Sequence, residues 1–330
     1  MEPVSEGAFV LGTAIRVTLY DRAPEAIFTR VFEEMQVIED KMSLSYEGGE
    51  IMAVNSAAGE HPVIVSRETF GVVEAGLQYS QLSGGAFDIT IGPLVRLWGI
   101  EPGEGEVPPQ AAIEDRLSLV DYRNVVLDRE EMSIFLTEPE MAIDLGAIAK
   151  GYAGDKAADM LENSGVGHAL LDFGGNIVTV GRKPDGSRWR IGIQNPEDDR
   201  GRYLGILEVG EAAVVTSGVY ERYFIQDGVR YHHILDTDTG YPVWNGLSSA
   251  TVIAGQSTAA DALSTAVFSL GLVDGLDLVE RLPDVEAIMV AEDGTVYVTP
   301  GAQRDFRLTD AAFTLRPSSE AGSTALPADD

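Results

Sequence analysis

Over residues 8–20 apolar and polar positions alternate, and Val10, Ile15, Val17 and Thr18 add β-branched stiffness, so the pattern predicts a strand. From 24 to 42 the period lengthens, and Ile27, Val31, Met35 and Ile38 fall on one face of a helix. Residues 62–65 predict a short strand. Ser66 is placed to cap a following helix that carries Val72, Val73, Leu77 and Tyr79 and stops at Ser83-Gly84-Gly85. The stretch 101–109, rich in Gly, Pro and Glu, reads as a surface loop, and strands follow at 125–127 and 133–136. A helix spans 148–163, and from 169 to 215 short strands are separated by Gly, Pro and Asp turns. Further strands fall at 231–235, 249–253, 285–290 and 296–298, with helices at 257–270 and 273–281 between the second and third. Residues 316–330 are small, polar and acidic and predict a disordered tail, and the length before it allows one large domain or two of ordinary size. Strands and helices mix without a βαβ rhythm, so the class is α+β.

A chain of 330 residues with 45% hydrophobic content buries a sizeable core, which excludes disorder throughout. No apolar run is expected to reach the roughly 18 residues that span a bilayer. Residues 1–7 show neither the basic nor the apolar stretch of a signal peptide. The lack of cysteine excludes disulfides, thiolate zinc, iron–sulfur clusters and a thiol nucleophile. A formal charge of −30 argues against a nucleic-acid partner, because a polyanion is repelled over most of the surface. Only four of the 23 basic residues are Lys; this acid excess fits a high-salt setting, where screening relieves self-repulsion.

Five stretches carry possible chemistry. In Ser257 to Thr265, Asp261 and Thr265 lie four apart on a helix and offer hard oxygens of the kind Mg²⁺ accepts, although a solvated carboxylate and a packed threonine have the same spacing. In Met141 to Tyr152, an apolar strand passes through Asp144 and Gly146 into a helix start with Lys150 in its first turn. Such an end receives phosphate through free N–H groups, or is simply capped by Asp144. Leu171 to Asn176 and Thr216-Ser217-Gly218 permit close backbone approach to a ligand, or ordinary turns. His232 and His233 sit at a strand end and face opposite ways, so one of them can serve a site as proton acceptor while a turn can equally hold it. Ser83 to Gly99 brings Phe87 and Trp98, fit for an aromatic ligand or for the core.

These stretches, in this order, resemble the successive blocks of the ApbE family of FAD:protein FMN transferases. The resemblance runs from Val10-Leu11-Gly12-Thr13 to Thr265 and loosely to Leu308, and is most specific at Gly85-Ala86-Phe87-Asp88, at Asp144 to Gly151, at His233-Ile234-Leu235-Asp236 and at Asp261 to Thr265. It implies one domain over 1–315 made of two intertwined α+β halves, with duplicated T-fold-like antiparallel sheets, packed helices and an FAD cleft between the halves. It implies Mg²⁺ held by the Asp261 carboxylate, the Thr265 hydroxyl and the carbonyls of Ala147 and Ser264. FAD would be contacted by Asp144 and Lys150 and lined by Leu11, Met42, Ser43, Leu44, Ala86, Phe87, Asp88 and Leu235, with His233 as general base toward an acceptor threonine.

The implied reaction moves FMN from FAD to a threonine hydroxyl of an acceptor flavoprotein subunit in a membrane redox complex, releasing AMP. An FAD pyrophosphatase and a non-catalytic FAD-binding protein are the alternatives. The resemblance also implies an exported, periplasmic or membrane-associated protein, although this sequence has no lipid-anchoring cysteine and a cytoplasmic location stays open. Two positions depart from the family pattern. Leu11 stands where Met is usual, a volume-conserving exchange, and Thr237 replaces the proline after Asp236, which removes a fixed φ and loosens the turn beside His233. If the acid excess is an adaptation to salt, the melting temperature rises from low to molar NaCl; a flat or falling trend in a thermal melt contradicts it.

Overall fold

The computed structural model describes all residues except 1, 25, 45, 101–104, 200 and 324–330. The chain opens with β1 (Val4–Val10), β2 (Thr13–Leu19), α1 (Ala26–Met42), α2 (Glu50–Ser56), β3 (Val63–Ile64) and α3 (Arg67–Leu82). It continues with α4 (Gly92–Trp98), α5 (Gln110–Leu117), β4 (Val125–Asp128), β5 (Ser133–Leu136) and α6 (Ala149–Asn163). Strands β6 (Ala169–Phe173), β7 (Asn176–Val180), β8 (Trp189–Gln194), β9 (Tyr203–Val209) and β10 (Ala212–Gly218) follow. The hairpin of β11 (Tyr223–Gln226) and β12 (Val229–His232) leads to β13 (Leu247–Ala254) and the long α7 (Ser257–Glu280). The chain closes with β14 (Glu286–Ala291), β15 (Thr295–Val298), α8 (Pro300–Asp305), β16 (Phe306–Leu308) and β17 (Thr314–Pro317).

Nine strands form one sheet in the order β1-β2-β6-β7-β10-β13-β14-β15-β17, antiparallel except for the parallel β15–β17 pair. This is the α+β class with antiparallel sheets and packed helices. Both faces of the sheet are covered. On one side Ala250, Val252 and Ala254 of β13 join a core with α1, α6 and α7; on the other Ile253 packs toward β8, β9 and β16. A third cluster, Leu94, Trp98, Ile113, Phe224 and Leu235, sits under α4 and α5.

The single strand expected over 8–20 is two strands. Leu11 and Gly12 both take positive φ, 57° and 65°, and make a two-residue turn that pairs Val10 with Thr13. A leucine in that region is strained by about 1–2 kcal/mol, and residues of that type seldom mark such a turn in a sequence. The cap at Ser66 is as expected, its side chain accepting from the Thr69 amide.

Helix α7 corrects the expectation that no long apolar run exists. An 18-residue window of it has mean hydropathy 1.5, enough by length and composition to cross a membrane, but 67% of that window is buried inside the protein. Gly271 (φ 81°, ψ −176°) breaks it between the two helices expected from the sequence. The disordered tail expected from Arg316 is also corrected. Arg316 and Pro317 complete β17, and the 3₁₀ turn Ser318–Ser323 buries Ala321; the rest of that expectation lies outside the described residues. Pairing satisfies backbone groups that composition alone assigned to water. Truncation after Leu315 therefore lowers unfolding stability by about 1 kcal/mol or more in a denaturant melt; an unchanged midpoint contradicts the packing described here.

Candidate active site

Helices α6 and α7 cross at a point that only glycine allows. A Cβ on Gly151 would lie 2.3 Å from the Ser257 carbonyl oxygen and 2.7 Å from Asp261 Cβ. At this approach each helix supplies the carboxylate that caps the other. The Gly151 amide, in the first turn of α6, donates to Asp261 Oδ2 at 2.8 Å. In return the Ser257 and Thr258 amides donate to Asp155 at 2.6 and 2.8 Å, and the Thr258 hydroxyl donates to Asp155 at 2.6 Å. These are charge-assisted bonds at helix N-termini, where negative charge is favoured. Burial pushes the Asp155 carboxyl up, and the Thr258 and Ser257 donors oppose that shift.

The clasp leaves oxygens over. Because the Gly151 amide serves Asp261, it does not close the usual bond to the Ala147 carbonyl four residues back, and no described residue donates to that carbonyl. Asp261 Oδ1 likewise accepts no bond from a described residue. Thr265 stands one turn further along α7 and lines the same cleft. One carboxylate, one hydroxyl and one carbonyl make a hard-oxygen set that fits a divalent cation.

The cleft measures about 1540 Å³, above the roughly 300–1,000 Å³ usual for a small ligand. It is lined by Leu11, Met42, Ser43, Leu44, Ala86, Phe87, Asp88, Asp144, Ala147, Lys150, His233, Leu235, Asp261 and Thr265. All but one of the site residues expected from the sequence thus line one cleft. The exception is Ser264, which is fully buried and absent from the lining. The group expected of it is its backbone carbonyl; its hydroxyl is engaged elsewhere, with Ser217 Oγ at 2.8 Å and the Asp261 carbonyl at 2.9 Å.

Several lining carboxylates hold the wall together. Asp88 Oδ1 accepts from the Thr90 amide and hydroxyl, and its Oδ2 accepts from the Tyr122 amide at 2.9 Å. Burial raises its pKa against those bonds. Asp144 Oδ1 accepts from the Gly146 amide at 2.6 Å, shaping the loop before α6. Burial raises its pKa too, while that bond and the charges of Arg222 and Arg96 pull the other way. Lys150 lines the cleft and makes no hydrogen bond or ion pair with a described residue, so its three donors are left for a ligand. Asn176 Nδ2 is buried and has no partner among the described residues, an orphan donor in the same lining.

The two histidines divide as alternation requires. His232 ends β12 facing the core, where Nε2 donates to the Val243 carbonyl at 2.8 Å and Nδ1 accepts from the Ile234 amide at 3.3 Å. Burial lowers its pKa to about 4. The chain leaves the strand there, earlier than the expected 231–235, and His233 turns into the cleft. Its Nδ1 lies 3.3 Å from the Arg222 carbonyl, an acceptor only, so Nδ1 carries the proton and Nε2 keeps a lone pair. Burial first, then His232 and Arg222, lowers its pKa to about 3. Thr237, expected to loosen this turn, ties it instead: its hydroxyl donates to the Gly85 carbonyl at 2.9 Å, a bond proline cannot make. Asp236 Oδ1 also accepts from the Asp238 and Thr239 amides.

The sequence profile described as the ApbE family matches residues 11–289. The chain belongs to the ApbE family. It is 38% identical over 311 residues to the FAD:protein FMN transferase of Klebsiella pneumoniae, covering 94% of this chain and 96% of that one. It is 36% identical over 329 residues to the FAD:protein FMN transferase of Treponema pallidum, covering 94% and 91%. Among solved structures, the ApbE protein of Thermotoga maritima superposes with TM-score 0.85 at 34% identity, covering 93% of this chain and all of that one. The flavin transferase ApbE of Vibrio cholerae gives 0.83 at 29% identity, covering 92% and 99%.

Within this ApbE-family chain three contributors escaped the sequence reading. Asp155 carries no motif of its own, and only the helix crossing reveals it. Arg222 reaches His233 through its carbonyl, for which no side-chain signal exists. Ser217 was visible only as part of a weak Thr-Ser-Gly turn. A consequence concerns acid stability. His232 has a folded-state pKa of about 4 against an unfolded value of about 6.5, so in this window the unfolded chain binds the extra proton. Its contribution is intact above pH 6.5 and is lost as pH falls toward 4. Urea melts at stepped pH should show stability falling across that window and a shallower slope for His232→Gln; equal slopes contradict the assignment.

Proposed function

We propose that this chain transfers FMN from FAD to a threonine hydroxyl of an acceptor protein, with Mg²⁺ bound at Asp261, Thr265 and the carbonyls of Ala147 and Ser264. The observation that carries the reading is that Asp261, Thr265 and Ala147, Lys150 in the first turn of α6, and His233 with the lone pair of its Nε2 all line one cleft. The relatives named above as FAD:protein FMN transferases support the same reaction class.

Bound there, the cation would supply charge neutralisation at the diphosphate and the departing AMP. The need for it follows from the lining, where Glu39, Asp88, Asp144, Asp172, Glu197, Asp198, Asp199, Glu221 and Asp261 outnumber Lys150, Arg190, Arg222 and Arg230. Lys150 holds a phosphate oxygen as a point charge, and the first turn of α6 favours the same anion. The acceptor hydroxyl gives its proton to His233 Nε2 and its oxygen attacks the FMN phosphorus. The bond from that phosphorus to the bridging oxygen breaks, and AMP leaves with that oxygen. His233 is neutral and ready to accept, and the negative phosphates of bound FAD raise its basicity from the low value set by burial. The cleft's size leaves room for an acceptor segment beside the dinucleotide.

We place the acceptor among flavoprotein subunits of membrane redox complexes, on the family resemblance. Hydrolysis, with water in place of threonine, uses the same groups and is read by incubating protein with FAD and Mg²⁺ alone. Asp261→Ala should abolish metal-dependent turnover, measured as FMN-labelled acceptor by mass spectrometry; full labelling refutes the metal assignment. His233→Asn should keep FAD affinity while transfer falls by roughly 10²–10⁴-fold; equal loss of binding and transfer marks a structural histidine.

A further inference from the structure

Behind Thr265 lies a line of three hydroxyls whose direction the structure fixes. Ser264 Oγ lies 2.9 Å from the Asp261 carbonyl oxygen, 2.8 Å from Ser217 Oγ, and is fully buried. Ser217 Oγ in turn lies 3.2 Å from Thr265 Oγ1. A carbonyl only accepts, and each hydroxyl has one proton. Ser264 therefore donates to Asp261, so it must accept from Ser217. Ser217, its proton spent on Ser264, must accept from Thr265. The Thr265 proton is thereby turned away toward β10, and its lone pairs are left to the cleft that both Ser217 and Thr265 line.

We propose that Ser217 is a positioning residue that acts through Thr265, holding its hydroxyl as a lone-pair donor to a divalent cation. The inference rests on the metal reading of the proposed function. Without Ser217 the threonine proton has no fixed acceptor. A threonine inside a helix then bonds back to the carbonyl four residues earlier or rotates its proton into the cleft. Either state sets a donor or a misdirected lone pair against a cation. The relay also ties β10 to α7 across 48 residues of sequence. A change in the register of either element would thus be felt at the hydroxyl.

The test is Mn²⁺ binding to the full chain, followed by the free-ion EPR signal with and without FAD, together with thermal melts. Ser217→Ala is expected to raise the Kd for Mn²⁺ by roughly 3- to 10-fold, the scale of one lost hydrogen bond. Ser217→Thr, which keeps the hydroxyl, restores the affinity. In a Thr265→Val background Ser217→Ala has no further effect, because the group it orients is gone. A role confined to packing lowers the melting temperature and leaves Kd alone, or gives additive losses in both backgrounds; either result overturns the proposal. If wild type takes up Mn²⁺ and Ser217→Ala matches it, the relay alone falls. If wild type takes up none in either condition, the metal reading falls and the relay with it.

Discussion

The site depends on two helices coming closer than side chains permit. Gly151 lets α6 meet α7, and the exchanged carboxylates Asp261 and Asp155 lock the crossing. Three consequences follow from that one contact. The Gly151 amide is diverted from the Ala147 carbonyl, Asp261 is fixed with one oxygen engaged and one left over, and Thr265 is brought to the same wall by helical spacing. Pre-positioned oxygens of this kind need no rearrangement when charge develops beside them. The nine-stranded sheet serves the crossing from below: β10 and β13 carry α7, while β7 underlies α6 and brings Val178 to within 2.9 Å of the space a Cβ on Gly154 would fill.

Charge gives the arrangement its sign. A chain of net −30 repels anions over its surface, and the cleft itself is richer in carboxylates than in cations. Most of those carboxylates are engaged locally, Asp88 and Asp144 by backbone amides, Asp172 by the Gly175 amide. Burial also raises the pKa values of Asp88 and Asp144. Diphosphate affinity in such a setting has to come from a few directed donors and a cation rather than from a diffuse positive field. Lys150 and the Asn176 side-chain donor, both without a partner among the described residues, are of that kind.

Much of this was legible in the sequence. Long periodic elements such as α1, α3 and α6 were set by apolar spacing and by the Ser66 cap, and the site blocks by short motifs around Asp88, Asp144, His233 and Asp261. Short elements were not: α2, α4 and α5 run seven or eight residues, too few for a period to declare itself. The Leu11 turn was missed because a leucine at positive φ breaks the rule that glycine or asparagine marks such turns. Asp155 and Ser217 act on partners about 100 and 48 residues away, a relation that exists only after folding.

The most direct measurement of the central claim is the metal and FAD affinity of Gly151→Ala, by Mn²⁺ EPR titration and flavin fluorescence, on protein shown to be folded by near-UV circular dichroism. The added Cβ must displace one helix from the other, an overpacking on the scale of about 1–3 kcal/mol. The account predicts a folded protein whose Mn²⁺ affinity falls more than about tenfold, with FAD binding no longer strengthened by the metal. Wild-type affinity for both in that variant would contradict it.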